Sequence, residues 1–450
     1  MERPEPTELI ERLWIPKAKD VGTLQERQFD QRPSRSRTET QRDHDRVLYS
    51  SAFKRLAHVT QVTASETGLM FHSRLTHSLK VAQFARRLAE RLQKPERGFT
   101  GAAKRAVEAL DADAAETAAL AHDLGHPPFG HLAETELNTL AASYGGFEGN
   151  AQSFRILTRL ARRAKDHEGL NLTRITLNGV LKYPWPHGEE GEKKWNAYMS
   201  DRDAFDWVRE KASPSMFRSL EAQIMDWADD VTYAVHDMDD FYRAGLVPLE
   251  RLCQDTPEFD VFETHLRRNE PERADALCAG AQRVLKDAMT FNTPYAGTAA
   301  ERIDLRGIGS WLITRYIEGF TITNRAGNSA IVSIDQRLRD EVDALKQLMW
   351  CYVILRPSLG ILQHGQRHII TELYKIYSAA ALDKDKKKKK FGLFPAMYVP
   401  LLESAITDET KLRAVVDLIS SMTEATATEV YRRMTGVAGA SVSDPTGRMS

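Results

Sequence analysis

Apolar positions along this chain recur mostly at helical spacing. Over residues 71–93, His77, Val81, Phe84 and Leu88 fall at i, i+4, i+7 and i+11, so one face of a helix carries an imidazole within an apolar stripe. Residues 112–121 are rich in alanine and leucine and predict a helix that ends at His122 and Asp123. Gly125, Pro127, Pro128 and Gly130 break it, and a second helix is expected from about His131. A Gly-rich turn at 145–149 leads into another helix, with Asn150 near its start as a cap or a ligand donor. Residues 170–186 predict a short helix stopped by Pro184-Trp185-Pro186, with Lys182 and Tyr183 at its end. Residues 218–245 predict a long helix packed through Ile224, Trp227, Ala228 and Val231. Residues 246–380 read as helical throughout, with loops near 267–273, 292–307 and 324–330. Strand signal is almost absent, so the pattern predicts an all-α protein.

The remaining stretches are less regular. Residues 1–26 read as a short helix and a polar lead-in. Residues 27–58 carry Arg27, Arg32, Arg35, Arg37, Arg42, Arg46 and Arg55, and Val47, Leu48, Phe53 and Leu56 interrupt them. A helix with one buried side is therefore expected from about Gln41, with arginines on a solvated face or turned to a phosphate. Residues 59–70, which include Gln61, suit a loop or small hairpin. Residues 94–111 read as a polar connection leading into the next helix, and 187–204 as a surface loop. Lys384 and Lys386–Lys390 form a basic run of the kind found in exposed loops, and the tail from about Gly436 has the composition of a disordered segment.

Composition narrows the class only slightly. The chain has 450 residues with 42% hydrophobic content, enough for a large buried core. A formal charge of −1 gives no whole-chain argument for nucleic acid or membrane. No apolar run is long enough to span a bilayer, and the start lacks the apolar core of a secretion signal. Cys253, Cys278 and Cys351 are scattered, without a CxxC, which argues against a disulfide framework or a zinc ribbon. A cytoplasmic home is expected.

The chemistry concentrates in ALAHDLGHPPFGHLAETE, residues 119–136. An adjacent His and Asp at a helix end mean little alone. Here a rigid turn carrying His126 follows, and then His131 and Glu134 one turn apart on the next helix. His77 points inward with its stripe, and Arg74, one turn earlier, needs an anionic partner such as a phosphate if buried. Lys182 and Tyr183 could grip phosphate, although surface exposure is the ordinary fate of such a pair. Asp229, Tyr233 and Asp237 lie at i, i+4 and i+8 on one side of the long helix, where buried acids need a cation. His77, His122, Asp123 and Asp229 thus form a candidate ligand set of two imidazoles and two carboxylates. It suits Mn, Fe, Co, Ni or Mg better than structural zinc.

The order H…HD…D resembles that of HD-domain phosphohydrolases, and within them the chain resembles the deoxyguanosinetriphosphate triphosphohydrolase family. The resemblance covers residues 37–62, 73–83, 121–134, 145–160, 170–185 and 226–240, and more weakly 365–377 and 387–394. It implies an all-α, HD-domain helical fold with additional C-terminal helices. The expected divisions are an Arg-rich helical arm (1–60), the HD phosphohydrolase core (61–245), a helical C-terminal region (246–435) and the tail (436–450). It implies metal-dependent hydrolysis of dGTP or several dNTPs to deoxynucleoside and tripolyphosphate. The alternatives are hydrolysis of monophosphates or cyclic nucleotides, and a non-catalytic nucleotide- or nucleic-acid-binding regulator. By motif, His77, His122, Asp123 and Asp229 are implied metal ligands, and His131 and Glu134, with His126, the catalytic group. Gln61, Arg74, Asn150, Lys182, Tyr183, Tyr233 and Asp237 are implied substrate contacts. The resemblance also implies a homo-oligomer, often a hexamer, and raises an allosteric dNTP or single-stranded DNA as a partner. Two departures stand out: Leu132-Ala133 replaces a frequent Ala-Gly, and residues 250–340 match only loosely.

Overall fold

The computed structural model describes residues 13–17, 20–29, 36–61, 73–189, 193–211, 217–254, 257–289, 291–326, 329–383 and 392–437. The lysine run at 384–390, most of the tail, the segment 62–72 and residues 1–12 lie outside the described residues.

Short polar side chains set the starts of the central helices. Before α1 (Glu39–Leu48) and α2 (Ser51–Arg55), Thr38 and Ser50 accept from backbone N–H groups. Ser73 caps α3 (Arg74–Leu92). After α4 (Gly101–Ala109), Asp111 Oδ1 accepts from Ala114 N at 3.0 Å and starts α5 (Ala112–Ala121). Then come α6 (His131–Leu140) and α7 (Gly149–Arg155), which ends in a π turn, Ile156–Leu160. Next are α8 (Arg174–Val180), α9 (Arg202–Arg209) and the long α10 (Leu220–Arg243), capped by Ser219. The C-terminal half holds α11 (Leu249–Leu252), α12 (Pro257–Asn269), α13 (Ala274–Ala288) and α14 (Ala299–Glu318). The hairpin β1 (Phe320–Arg325) and β2 (Ser329–Ile334) leads to α15 (Gln336–Met349) and α16 (Pro357–Leu382). The last helices are α17 (Val399–Ser404), α18 (Asp408–Ser421) and α19 (Glu424–Met434). Among the described residues the protein is all-α apart from this hairpin. Among the described residues no helix is long and apolar enough to cross a membrane.

Two apolar clusters flank the centre of the molecule. In the larger, α3, α5 and α10 pack together, with Val81, Phe84 and Leu88 meeting Ala115, Ala118 and Ala119 of α5 and Ile224 and Val231 of α10. The alanines of α5 allow its neighbours to come close. In the second, Ala133 and Leu137 of α6 pack on Ile370 and Leu373 of α16 and Val415 and Ile419 of α18. The turn between α5 and α6 joins the two.

Several expectations need correction. The hairpin pairs Phe320 with Ile334 in antiparallel register, and Phe320, Ile322, Ala330 and Val332 point inward. Its period of two was present in the sequence but was read as part of a helical region with a loop at 324–330. The loop expected at 292–307 gives way to α14, which Thr298 and Glu301 start with a capping box. The connection at 94–111 contains α4. Nor do the described arginines of the 27–58 stretch share one solvated face: Arg37 is exposed, but Arg27, Arg46 and Arg55 turn to partners within the protein. Arg27 bonds Glu39, Asp43 and the Asn171 carbonyl, and Arg46 holds the Leu170 and Asn171 carbonyls. Arg55 holds the carbonyls of Leu124 (2.7 Å) and His126 (2.8 Å).

One buried acid in this frame sets a pH dependence. Glu221, 4% exposed near the start of α10, accepts from Asp111 N at 3.2 Å. Burial is the main cause that raises its pKa from the ordinary value to about 7, with the Asp111 charge adding to it. A carboxyl raised on folding binds its proton more tightly in the native state. Its contribution to stability therefore falls as pH rises from the ordinary carboxylate range to about 7, and is level above. Glu221→Gln, which keeps the acceptor oxygen, is expected to gain up to about 3 kcal/mol above pH 7 and little at pH 4. Urea unfolding at both pH values checks this; an equal effect at both would contradict it.

Candidate active site

The α5–α6 turn is tied down from three sides. Gly125 N donates to Ser153 Oγ at 2.8 Å, and that hydroxyl reaches the His122 carbonyl at 2.8 Å. A Cβ on Gly125 would lie 2.1 Å from Gly149 O and 2.3 Å from Ser153 N, so only glycine lets the turn approach α7. On another side, Glu424 at the start of α19 accepts from Phe129 N (3.2 Å), Thr60 N (2.9 Å) and Thr60 Oγ1 (2.7 Å). Arg55 grips the third side. Phe129 and Gly130 both have positive φ, 68° and 61°, which swings the chain into α6. Gly125→Ala is expected to cost at least about 1–3 kcal/mol by overpacking against backbone and to lower activity through the displaced turn. A thermal melt with an activity assay checks this; a variant matching the wild type in both would contradict it.

Three of the four expected ligands meet. His77 Nε2 lies 2.9 Å from Asp229 Oδ1, and His122 Nε2 lies 3.4 Å from the same oxygen. The donor atoms of His77, His122 and Asp229 all fall within 4.8 Å of one another. His122 Nδ1 is 2.7 Å from the Ala119 carbonyl, which can only accept. That bond places the proton on Nδ1 and leaves the Nε2 lone pair for the site. His122 Nε2 is buried with no hydrogen-bond partner among the described residues. Burial opposes a charge on this imidazole, but the Asp123 and Asp229 carboxylates outweigh it and carry its pKa to about 9, so without an ion Nε2 also holds a proton at pH 7, which a bound divalent ion would displace. Asp123 reaches His122 as closely as Asp229 does but is not grouped with His77. Its Oδ2 takes Arg74 Nη1 at 2.8 Å, while its Oδ1 is 3.4 Å from His122 Nε2 and 3.0 Å from His126 Nδ1. Arg74 Nη1 is therefore partnered by Asp123, while Arg74 Nε is buried with no hydrogen-bond partner among the described residues.

The second group sits beside the first. His131 Nδ1 donates to Glu134 Oε2 at 2.8 Å, which leaves the other ring nitrogen of this largely exposed histidine available to a ligand. Glu134 Oε1 accepts from Gly149 N and from Lys194 Nζ, both at 3.1 Å. Burial opposes ionisation of Glu134. The His131 bond, with His126 and Lys194, more than reverses this and holds it well below the usual carboxylate range. His126 stacks edge-on to His131 with ring centres 5.2 Å apart. Burial and then Arg74 push its pKa down to about 4, so it is neutral at pH 7.

A cavity of about 530 Å³ opens over both groups. Gln61, Arg74, Asn150, Lys182, Tyr183 and Tyr233 line it, as do His122, Asp123, His126, His131 and Asp229. Asp237 is not among its lining residues. It is buried, and burial, then Asp240, holds its carboxyl well above the usual range. Lys182 is not a surface residue: its Nζ pairs with Asp226 at 2.6 Å and lies 3.8 Å from Asp229. Asn150 does not cap α7. Glu148 does, accepting from Asn150 N at 2.6 Å and Ala151 N at 3.0 Å.

Sequence reasoning missed Lys194 and Glu148. Lys194 Nζ bridges Glu134 and Glu148 (3.0 Å) from a stretch read as surface loop. Trp195 and Tyr198, aromatics in a largely polar run, were the available sign that this loop packs inward. Glu148 was visible as an acid just ahead of a helix start.

Helical layers with an imidazole–carboxylate cluster at their centre define the class. Residues 74–234 match the HD domain family, and residues 332–433 match the phosphohydrolase-associated domain. The chain is 37% identical over 429 residues to a deoxyguanosinetriphosphate triphosphohydrolase-like protein of Streptomyces coelicolor, covering 90% of this chain and 94% of that one. It is 32% identical to the protein of the same name from a Caulobacter species, with 93% and 95% covered. For the Corynebacterium glutamicum protein of that name the figures are 33%, 88% and 91%. The chain belongs to the deoxyguanosinetriphosphate triphosphohydrolase-like family of HD-domain phosphohydrolases.

Proposed function

We propose that the protein hydrolyses deoxynucleoside triphosphates to deoxynucleoside and tripolyphosphate, with a divalent metal ion. The observation that carries this reading is the meeting of His77, His122 and Asp229 beside the His131–Glu134 pair under one cavity. The buried, unpartnered Nε2 of His122 fits a metal, and two imidazoles with a carboxylate suit Mn, Fe, Co, Ni or Mg. Asp123 would complete the set by releasing one oxygen from His126. When bound, the ion supplies positive charge at the phosphoryl oxygens.

The chain's own groups do the rest. Water attacks the α-phosphorus, the bond to the 5′-oxygen breaks, and that oxygen takes a proton. His131, held in one tautomer by ionised Glu134, is placed to carry a proton at this step. Lys182, Tyr183 and Asn150 line the wall where phosphates would lie, and Lys194 adds a further cation. Tyr233 would pack against the deoxyribose, and Gln61 would meet its 3′-hydroxyl. Asp237 would reach that hydroxyl only after a shift toward the cavity.

The deciding experiment assays the purified protein with each dNTP, singly and mixed, with Mn or Mg, and follows tripolyphosphate. Its release supports the reading. Orthophosphate from monophosphates, or monophosphates from cyclic nucleotides, in parallel assays of those substrates, with no tripolyphosphate from any dNTP, would replace it with a related phosphohydrolase activity. A rate in the mixture above the sum of the single rates would reveal a second nucleotide acting on the first.

A further inference from the structure

A second trio of donor atoms gathers beside the first. One ring nitrogen each from His126 and His131 and one oxygen of Glu134 lie within 4.8 Å of one another, as do the donors of His77, His122 and Asp229. The three come from one short piece of chain. His126 sits on the turn whose carbonyl Arg55 holds at 2.8 Å, and His131 and Glu134 are in the first turn of α6. His126 is 8% exposed, and its Nδ1 makes no hydrogen bond among the described residues. A buried ring nitrogen left in that state calls for a partner.

The backbone leaves room at this corner. Gly149 opens α7, and a Cβ there would stand 3.5 Å from His126 Nε2 and 3.6 Å from Glu134 Oε1. Gly149 is not among the glycines with positive φ, so the missing side chain provides space and not a special conformation. Charge does not forbid a cation. Lys194 Nζ is shared between Glu134 and Glu148, so an ion arriving at Glu134 leaves the ammonium a carboxylate to keep. Arg74 is already paired with Asp123.

Two imidazoles and one glutamate are a set that zinc takes in open sites, with a fourth position left for water. Bonds of about 2.0–2.2 Å to a tetrahedral ion put its ligand atoms about 3.3 Å apart, so the trio must close slightly. The largely exposed His131 ring can turn to do so. Manganese and magnesium favour oxygen donors and are expected to leave this nitrogen-rich set empty.

We propose that His126, His131 and Glu134 form a second divalent-ion site, which takes zinc and inhibits the enzyme when filled. An imidazole bound to an ion through one nitrogen keeps its proton on the other and cannot take up a second. Zinc here would therefore stop His131 from cycling between acid and base. The inhibition rests on the hydrolysis reading, whereas the binding does not.

Zinc titrated calorimetrically into metal-stripped, full-length protein, with elemental analysis after dialysis, tests the site. The wild type is expected to take two more ions per chain than the double variant His131→Ala with Asp229→Ala. Each single variant should lose one of them, with affinity at the altered set weakened by at least about 100-fold. Glu134→Gln, which keeps its shape, should match His131→Ala. Wild-type uptake in both His131→Ala and Glu134→Gln, or a double variant that loses no more than Asp229→Ala, would overturn the site. In the manganese-supported assay, zinc is expected to lower the rate of tripolyphosphate release at least about tenfold while bound manganese stays constant. Zinc that only displaces manganese ion for ion, or a full rate with the second ion in place, would overturn the inhibition. If no dNTP yields tripolyphosphate with any metal, the hydrolysis reading falls, and the zinc count still decides the site.

Discussion

His131→Ala is expected to lower kcat for the proposed dNTP hydrolysis by about 10²–10⁴ while metal content stays at the wild-type value. The side chain is largely exposed, so its removal leaves no hole in the core. What disappears is the one nitrogen left free by the Nδ1 bond to Glu134. Glu134→Gln tests the same pair from the other end. It keeps the shape but removes the charge that fixes the His131 tautomer, and it leaves Lys194 with Glu148 as its remaining carboxylate. A loss of about 10² or more in kcat, with KM little changed, is expected. Initial rates of tripolyphosphate release and elemental analysis of the same preparations measure both. A His131→Ala enzyme that turns over at the wild-type rate would remove this pair from the reaction.

The second large effect is expected at Asp229. Its Oδ1 is the atom on which His77 and His122 converge, and no other carboxylate oxygen among the described residues is as close to both. Asp229→Ala should weaken metal binding by more than about 100-fold, since even residues behind a ligand change affinity by about 10–100-fold. Activity should fall to background at any practical metal concentration. Asp123→Asn separates the two carboxylates. It strips a buried Arg74 of its counter-charge, so it should lower stability as well as activity. Metal titration by calorimetry, with a melt in chelator, distinguishes them. If Asp229→Ala kept stoichiometric metal and full rate, the cluster would be a structural hydrogen-bond network and not a metal centre.

Much of the fold was legible because the signals are local. The stripe through His77, Val81, Phe84 and Leu88 is α3, and the glycines and prolines of 125–130 end one helix and open the next where expected. What misled was competition between neighbouring signals. The alternating residues of the hairpin lie between two long helices, and six-residue strands carry little periodicity of their own. The arginines before residue 58 looked like surface because their acceptors are remote. Arg27 and Arg46 bond the Asn171 carbonyl across 144 and 125 residues, and nothing in a sequence window reports that.

At the site, the residue types alone determined the available chemistry: imidazoles, carboxylates and a His–Glu pair one helical turn apart. Helical spacing is a property of adjacent residues, so the His131–Glu134 bond could be drawn before any packing was known. Tertiary structure alone decided that Asp229 meets His77 across 152 residues, that Asp123 is divided between Arg74 and two imidazoles, and that Lys194 stands over Glu134. The reason is physical. A charge buried in a helical core chooses its partner by distance after packing, and the cost of leaving it unpaired, not its place in the chain, selects which carboxylate each cation finds.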